Sequence, residues 1–255
     1  MIILKSLAEI DKIRQSCLIV SEGLHYAAKL IAPGIKTRDV DKEAENFLLR
    51  HGAKPAFKGY SQKGGSNKYP ASLCISINSE VVHGIPSSRK FKEGDIVSLD
   101  FGASYNGFYG DCAITVPVGR VAEQAKRLIK VTKDSLNKAI EQSYIGNRLE
   151  DISYGVQSYV EQNGYSVVRD YVGHGIGRSM HEEPQIPNFG KPGRGKRLQE
   201  GMVLAIEPMV NEGDYRVKVM NDGLTVKTSD GTLSAHFEHT IAITKKGPVV
   251  LTSLN

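Results

Sequence analysis

A short pattern occurs twice in this chain, and each copy leads to a carboxylate. The first copy is His83-Gly84-Ile85, then Glu93-Gly94, with Asp100 six residues after that glycine. The second is His174-Gly175-Ile176, then Glu200-Gly201, with Glu207 at the same spacing. Upstream, Gly34 to Gly52 and Gly146 to Gly164 enclose helical patterns of equal length, with Val40, Ala44, Phe47 and Leu48 falling opposite Ile152, Val156, Tyr159 and Val160. The copies are offset by 91 to 112 residues, too long for a solenoid, which implies two fused half-domains, approximately 1–118 and 119–255. A duplicated scaffold brings equivalent segments together about a pseudo-twofold axis. Acids from each half, Asp100 and Asp111 from one and Glu207 and Glu238 from the other, can therefore meet at its centre beside His174.

No linker rich in Pro, Ser or Gly separates the halves, so one domain over 1–255 is expected. Hydrophobic residues at 40% and charged residues at 24% are ordinary for a globular chain. No run of 18 apolar residues occurs, and Lys5 and Glu9 come too early for a signal peptide. Cys17, Cys74 and Cys112 are scattered and form no CxxC. These features predict a reduced, cytoplasmic protein with no membrane association. The net charge of +5 is mild. Lys126, Arg127, Lys130 and Lys133 read as a solvated helix face, and the loop basic residues Lys191, Arg194, Lys196 and Arg197 as a candidate phosphate contact without a nucleic-acid-binding motif.

Ser6 to Glu9 reads as a capping box opening a helix with Leu7, Ile10, Ile13, Cys17, Leu24 and Ile31 at helical spacing. Pro33-Gly34 ends it, and Thr37 is expected to cap a second helix closed at Gly52. Residues 53–118 read as strands and loops, 121–143 and 149–163 as helices, and 166–250 as strands. The order predicts an α+β arrangement with helices on the outer face of a sheet. Between Ile96–Tyr105 and Phe108–Val116, Asn106-Gly107 signals a two-residue type I′ hairpin. If Tyr105 pairs with Phe108, Asp100, Gly102, Asp111 and Ala113 share one face, with the two aspartates roughly 7–8 Å apart along a diagonal. Exposed acids are the commoner outcome for an isolated hairpin, but Leu99, Phe101 and Ile114 point to a packed sheet.

Glu207 ends the apolar run from Met202 to Ile206, and Glu238 opens the run through Ile241 and Ile243. Four clustered carboxylates would raise each other's pKa values and destabilise the fold unless cations balance them. Two divalent ions would do so, and oxygen ligands with one imidazole suit Mn, Fe(II) or Co, with Zn also compatible. Other chemistries fail. Gly173 to Gly177 lacks the third glycine of a dinucleotide loop, His181-Glu182-Glu183-Pro184 cannot continue as a zincin helix, and no GxSxG occurs. Cys74 reads as a strand-packing residue and His239 as structural, on the opposite face from Glu238.

In order and context, Asp100, Asp111, His174, Glu207 and Glu238 match the five ligands of the methionine aminopeptidases, and the chain resembles the type I, bacterial-type members over essentially its whole length. Pro70 to Cys74, Val82 to Pro86, Gly173 to Gly177, Met202 to Pro208 and Phe237 to Thr240 carry the resemblance most specifically. It implies the pita-bread fold, a pseudo-symmetric curved antiparallel sheet backed by helices. It also implies removal of the N-terminal methionine from new polypeptides, preferably before a small second residue, by a metal-bridged water attacking the scissile carbonyl. Asp111 and Glu238 would bridge two metals, Asp100 would chelate one, and His174 and Glu207 would hold the other. Glu207 would also relay a proton, His181 would support the tetrahedral intermediate, and His83 would contact the scissile nitrogen.

The resemblance further implies a methionine pocket lined by Tyr60, Tyr69, Cys74, His83 and Met180, with His181 at the reacting bond. The chain departs from the pattern at Met180, where phenylalanine is frequent, and at Leu224, where many members carry tryptophan. Residues 61–68 form a longer stretch than usual. Proline-directed relatives and creatinases resemble chains with an additional N-terminal domain, and type II methionine enzymes carry a large insertion for which 174–207 leaves no space. Non-catalytic pita-bread binding modules have lost ligands that are all present here. Nascent N-termini as substrates, a transient ribosome contact and a monomeric state complete the expectation.

Overall fold

The computed structural model describes residues 1–61 and 67–254, so most of the long 61–68 stretch lies outside the described residues. Among the described residues, four helices and an antiparallel sheet appear in the expected order. Helix α1 (Leu7–Lys29) opens on the capping box, the Ser6 side chain accepting from the Glu9 N–H and Glu9 accepting from the Ser6 N–H at 3.1 Å. Leu7 is exposed on its first turn, while Ile13, Cys17, Val20 and Leu24 are buried. Helix α2 (Thr37–Arg50) departs from expectation at its start. Lys36 occupies the cap position and makes no side-chain cap bond. The Thr37 hydroxyl instead donates to the Ser87 carbonyl at 3.1 Å and accepts from the Ser87 N–H at 2.7 Å. A buried partner on the neighbouring segment satisfies donor and acceptor together, which a cap bond would not.

The duplication is visible in backbone detail. Helices α3 (Glu123–Glu141) and α4 (Leu149–Gln162) repeat α1 and α2, and α2 and α4 have the same length of 14 residues. Each of these two helices is closed by a left-handed glycine, Gly52 at φ 71° and Gly164 at φ 82°. The following amide then returns to the helix, Ala53 to Leu48 and Tyr165 to Val160. Val40, Ala44 and Leu48 are buried, as are Ile152, Val156 and Val160 opposite them. At about 1.5–3 kcal/mol for a fully buried aliphatic side chain, these stripes fasten each helix pair to its own half of the sheet.

Seven strands build the region around the site: β1 (Leu73–Ile77), β2 (Ile96–Tyr105), β3 (Phe108–Pro117), β4 (Gly173–Gly175), β5 (Glu182–Ile186), β6 (Val203–Ile206) and β7 (Glu238–Thr244). From the centre, β3 pairs with β7; β2 then β1 follow on one side, β6 then β4 and β5 on the other. The two strands that follow the Glu-Gly turns, β2 and β6, therefore stand in equivalent places. Alternation sorts the side chains into two layers. Leu99, Phe101, Leu204, Ile206, Ile241 and Ile243 join the clusters that hold the helices. Cys74, Asp100, Asp111, Glu238 and Ala205 face the other way.

Candidate metal and peptide site

Register alone assembles most of the site. Cys74 pairs with Asp100, Asp100 with Ala113, and Ala113 with Glu238, so four strands contribute one row on the inner face. Gly102 pairs with Asp111 in the next row, and the turn residues Asn106 and Gly107 have φ 51° and 78°, as the two-residue hairpin requires. On the far side His174 pairs with Ala205, and Ala205 with Thr240. Glu207 and Glu238 extend this face by one alternation each. Alanine, glycine and threonine between the acids leave space that larger side chains would close.

Asp111, His174 and Glu238 offer ligand atoms within 4.8 Å of one another. Glu207 joins them, Oε1 lying 3.6 Å from His174 Nε2, while Asp111 Oδ2 is 3.7 Å from the same nitrogen. The Nδ1 of His174 sits 2.9 Å from the Gly175 carbonyl, which can only accept, so Nδ1 carries the proton. Burial holds this imidazole's pKa down at about 4, and its neutral Nε2 therefore aims a lone pair at two carboxylates. Asp100 Oδ1 and Glu238 Oε1 are buried without a hydrogen-bond partner among the described residues.

Electrostatics sharpen the same point. Burial raises Asp100 to about 7. Burial first, then the charges of Asp100 and Glu207, push Asp111 well above the usual carboxylate range. Glu207 and Glu238 rise for the same two reasons, burial and then neighbouring acids. Unpaired oxygens, a converging lone pair and repelling carboxylates are relieved together by cations between them. The donor set therefore fits divalent metal.

Beside the acids lies a cavity of about 480 Å³, a size suited to a small ligand. Tyr60, Tyr69, Cys74, His83 and His181 all line it, as does Leu224. His181 Nδ1 is 2.7 Å from the Tyr60 hydroxyl, and its ring centre is 4.3 Å from that of His174. His83 takes a positive φ of 60° and meets Tyr171 edge to face. Its pKa is pushed down to about 4 by burial, so it is neutral at pH 7. Tyr69 donates to the Gly84 carbonyl at 2.8 Å, anchoring the His83 loop to the pocket floor. Burial and Asp100 raise the Cys74 thiol well above its ordinary value, which makes it an inert wall. Met180 is not among the residues facing the cavity. It is buried beside the cavity, sharing with the cavity-lining Phe57 the space over Gly102, where a Cβ would lie 2.8 Å from Met180 Cε.

His239 lies on the opposite face, its Nδ1 2.8 Å from the Thr252 hydroxyl. One histidine escaped the sequence reading. His236 is buried, neither ring nitrogen has a hydrogen-bond partner among the described residues, and Nε2 is 3.8 Å from Glu207 Oε2. Alternation backward from Glu238 could have found it. Phe57 and Tyr171 also line the cavity, and no local motif distinguishes them from packing aromatics.

The pattern of metallopeptidase family M24 matches residues 11–245. A methionine aminopeptidase of Clostridium perfringens is 54% identical over 252 residues, covering 99% of both chains. The crystal structure of methionine aminopeptidase from Thermotoga maritima superposes with a TM-score of 0.95 at 50% identity, covering 99% of this chain and all of that one. A prolidase from Pyrococcus horikoshii shares the fold at TM-score 0.79 and 27% identity, but this chain covers only 64% of it. The chain belongs to metallopeptidase family M24 and has its pita-bread fold. Within that family it groups with the methionine aminopeptidases, as the resemblance of its motifs implies. Membership brings divalent metal ions, which the donor set accommodates.

Proposed function

We propose that residues 1–255 form one catalytic unit that removes the N-terminal methionine from new polypeptides by metal-dependent hydrolysis, preferring a small second residue. The observation that carries this reading is the inner-face row of acids with orphaned oxygens, ending at a partly apolar cavity. Two divalent ions, with Mn, Fe(II) or Co favoured over Zn by the oxygen-rich set, would be shared by Asp111 and Glu238. Asp100 would complete one site, and His174 with Glu207 the other. When bound, such ions lower the pKa of water and draw charge from a carbonyl oxygen.

The chain supplies the rest. Glu207 takes the proton of the attacking water and returns it to the departing amine. His181, held by the Tyr60 hydroxyl at 2.7 Å, steadies charge on the carbonyl oxygen. His83 faces the scissile nitrogen, and its neutrality lets it exchange a hydrogen bond without a charge penalty. Tyr60, Tyr69, Cys74 and His83 receive the methionine side chain, which contributes about 1.5–3 kcal/mol when buried. Met180 backs this wall at Gly102.

Among the described residues no helix is long and apolar enough to cross a membrane. A monomer working in the cytoplasm, meeting nascent chains through a transient contact with the ribosome, fits this substrate. The deciding experiment is release of methionine from Met-Ala-Ser and Met-Leu-Ser peptides by metal-stripped and Mn-loaded protein. Mn-dependent release favouring the alanine peptide is expected. Equal turnover by protein shown to hold no metal would sink the mechanism.

A further inference from the structure

The turn that carries His181 is held from outside the cavity. Strands β4 and β5 pair with a register shift between His174 and Gly175, so residues 176–181 form an irregular connection. Glu182 folds it back on itself, Oε1 accepting the N–H groups of Arg178 at 2.8 Å and Ser179 at 3.2 Å. The other oxygen, Oε2, lies 2.5 Å from Lys5 Nζ, with the two side chains only 3% and 7% exposed for lysine and glutamate respectively.

Lys5 comes from the segment before α1, and that segment is itself fastened. The Lys5 N–H donates to the Gly201 carbonyl at 2.7 Å, and its ammonium also donates to the Ile3 carbonyl at 2.8 Å. Two glycines make room for it. A Cβ on Gly201 would stand 2.7 Å from Lys5 O, and one on Gly177 would stand 2.4 Å from Lys5 Cε. Beyond the turn, Met180 packs at Gly102 and His181 meets Tyr60 and His174. An unbroken series of contacts thus runs from the N-terminal segment to the reacting-bond histidine.

We propose that Lys5 and Glu182 are a positioning pair that sets the orientation of His181 through the 176–182 turn. The inference rests on the proposed methionine-releasing activity and on the role given there to His181. Without Lys5, the Glu182 carboxylate is a buried uncompensated charge and is driven to seek water. Moving it releases two backbone bonds and loosens the turn. A glutamine at the same position carries no charge, and its amide oxygen still accepts both N–H groups.

The test compares wild type, Lys5→Met, Lys5→Met/Glu182→Gln, His181→Ala and Lys5→Met/His181→Ala, each loaded with Mn and assayed on Met-Ala-Ser. Lys5→Met should lower kcat by about 10–10²-fold, the scale of a small misplacement at a reacting centre. KM should change by about twofold or less and metal content should hold. Adding Glu182→Gln should restore most of the kcat, and Lys5→Met should add nothing to His181→Ala. A Lys5→Met variant with wild-type kcat, a double variant with no recovery, or an additive loss with His181→Ala overturns the pairing. Should Lys5→Met alone fail to fold, the double variant against wild type decides. The His181 ring NMR signals of metal-free protein should move in Lys5→Met and return in the double variant. That readout stands even if wild type releases no methionine, a result that would sink the activity and not the pair.

Discussion

The two halves share helices but divide the chemistry unequally. In the N-terminal half, β2 and β3 are joined by two residues, and Asp100 and Asp111 come from one tight hairpin. In the C-terminal half, the equivalent β6 and β7 are separated by residues 207–237, and His174, Glu207 and Glu238 come from three segments. The inserted segment also delivers His236 beside Glu207 and Leu224 to the cavity mouth. The N-terminal half gives most of the apolar wall, through Tyr60, Tyr69, Cys74 and His83. The C-terminal half gives the groups assigned to proton transfer and charge stabilisation, apart from His83. Duplication preserved the backbone that brings acids together, and on the proposed roles the unequal loops give each half a different share of the work.

The sharpest way to break this comparison is at its seam, where Asp111 and Glu238 meet across β3 and β7. Asp111→Asn or Glu238→Gln removes a charge shared by both proposed ions. Each should lose bound metal and fall to the turnover of stripped protein, the largest effect expected. Metal analysis after dialysis reads the outcome directly, and a variant retaining two ions and wild-type turnover would show that neither half depends on the seam.

A second, smaller loss separates holding metal from using it. His83→Ala from the N-terminal half and His181→Ala from the C-terminal half should keep both ions yet lose roughly 10²–10⁴ in turnover. Loss of metal in either would move that histidine into the ligand set. The contrast between the halves would then have to be redrawn.

The third test uses pH on metal-free protein. Burial raises Asp100 to about 7 from an ordinary 3.8, and Asp111, Glu207 and Glu238 are also raised. Below about 6.5 the histidines His83, His174, His181, His236 and His239, held to about 3–4 by burial, oppose the acids, because the unfolded chain protonates them first. Above that value the raised acids leave the folded chain with more protons than the unfolded chain, and its stability falls as pH rises. Metal-free protein should melt higher near pH 7 than near pH 8.5, measured at equal ionic strength. Metal-loaded protein should lose that preference, because the ions replace the protons. A metal-free melting temperature that rises over the same interval would contradict the clustering of the four acids.

How much of this was legible beforehand follows from the range of each signal. The Asn106-Gly107 turn and strict alternation specify the β2–β3 register, because a slip of one residue would send Leu99 and Phe101 to the wrong layer. The repeat located His174 and Glu207. Thr37 was misread because its hydroxyl partner, Ser87, lies 50 residues away. Nothing local distinguishes a cap from such a contact. The Lys5–Glu182 pair is 177 residues apart in the chain and has no motif at all. His236 stands two residues before Glu238 on the same alternation, yet lies just outside the Phe237–Thr240 segment that carries the resemblance.

The smallest expected effects lie in the apolar wall, where spacing and resemblance are weakest. The family resemblance implies a wall that includes Met180, with Leu224 a second departure from the pattern. In the fold, Leu224 faces the cavity, while Met180 is 3% exposed and packs with Phe57 over Gly102. Truncating a buried methionine leaves a void, so Met180→Ala should cost about 2–5 kcal/mol of stability. Any change in first-residue preference should be secondary, arising as Phe57 relaxes into the void. Leu224 is half-buried and its neighbours Asp222 and Gly223 form a turn, so Leu224→Ala should leave stability nearly unchanged and raise KM for methionyl peptides by only a few-fold. Thermal melts and steady-state kinetics on the two variants separate these outcomes. A destabilised Leu224→Ala beside a Met180→Ala protein with altered KM alone would reverse the assignment, and would mean that the pocket closes on the other side of Gly102.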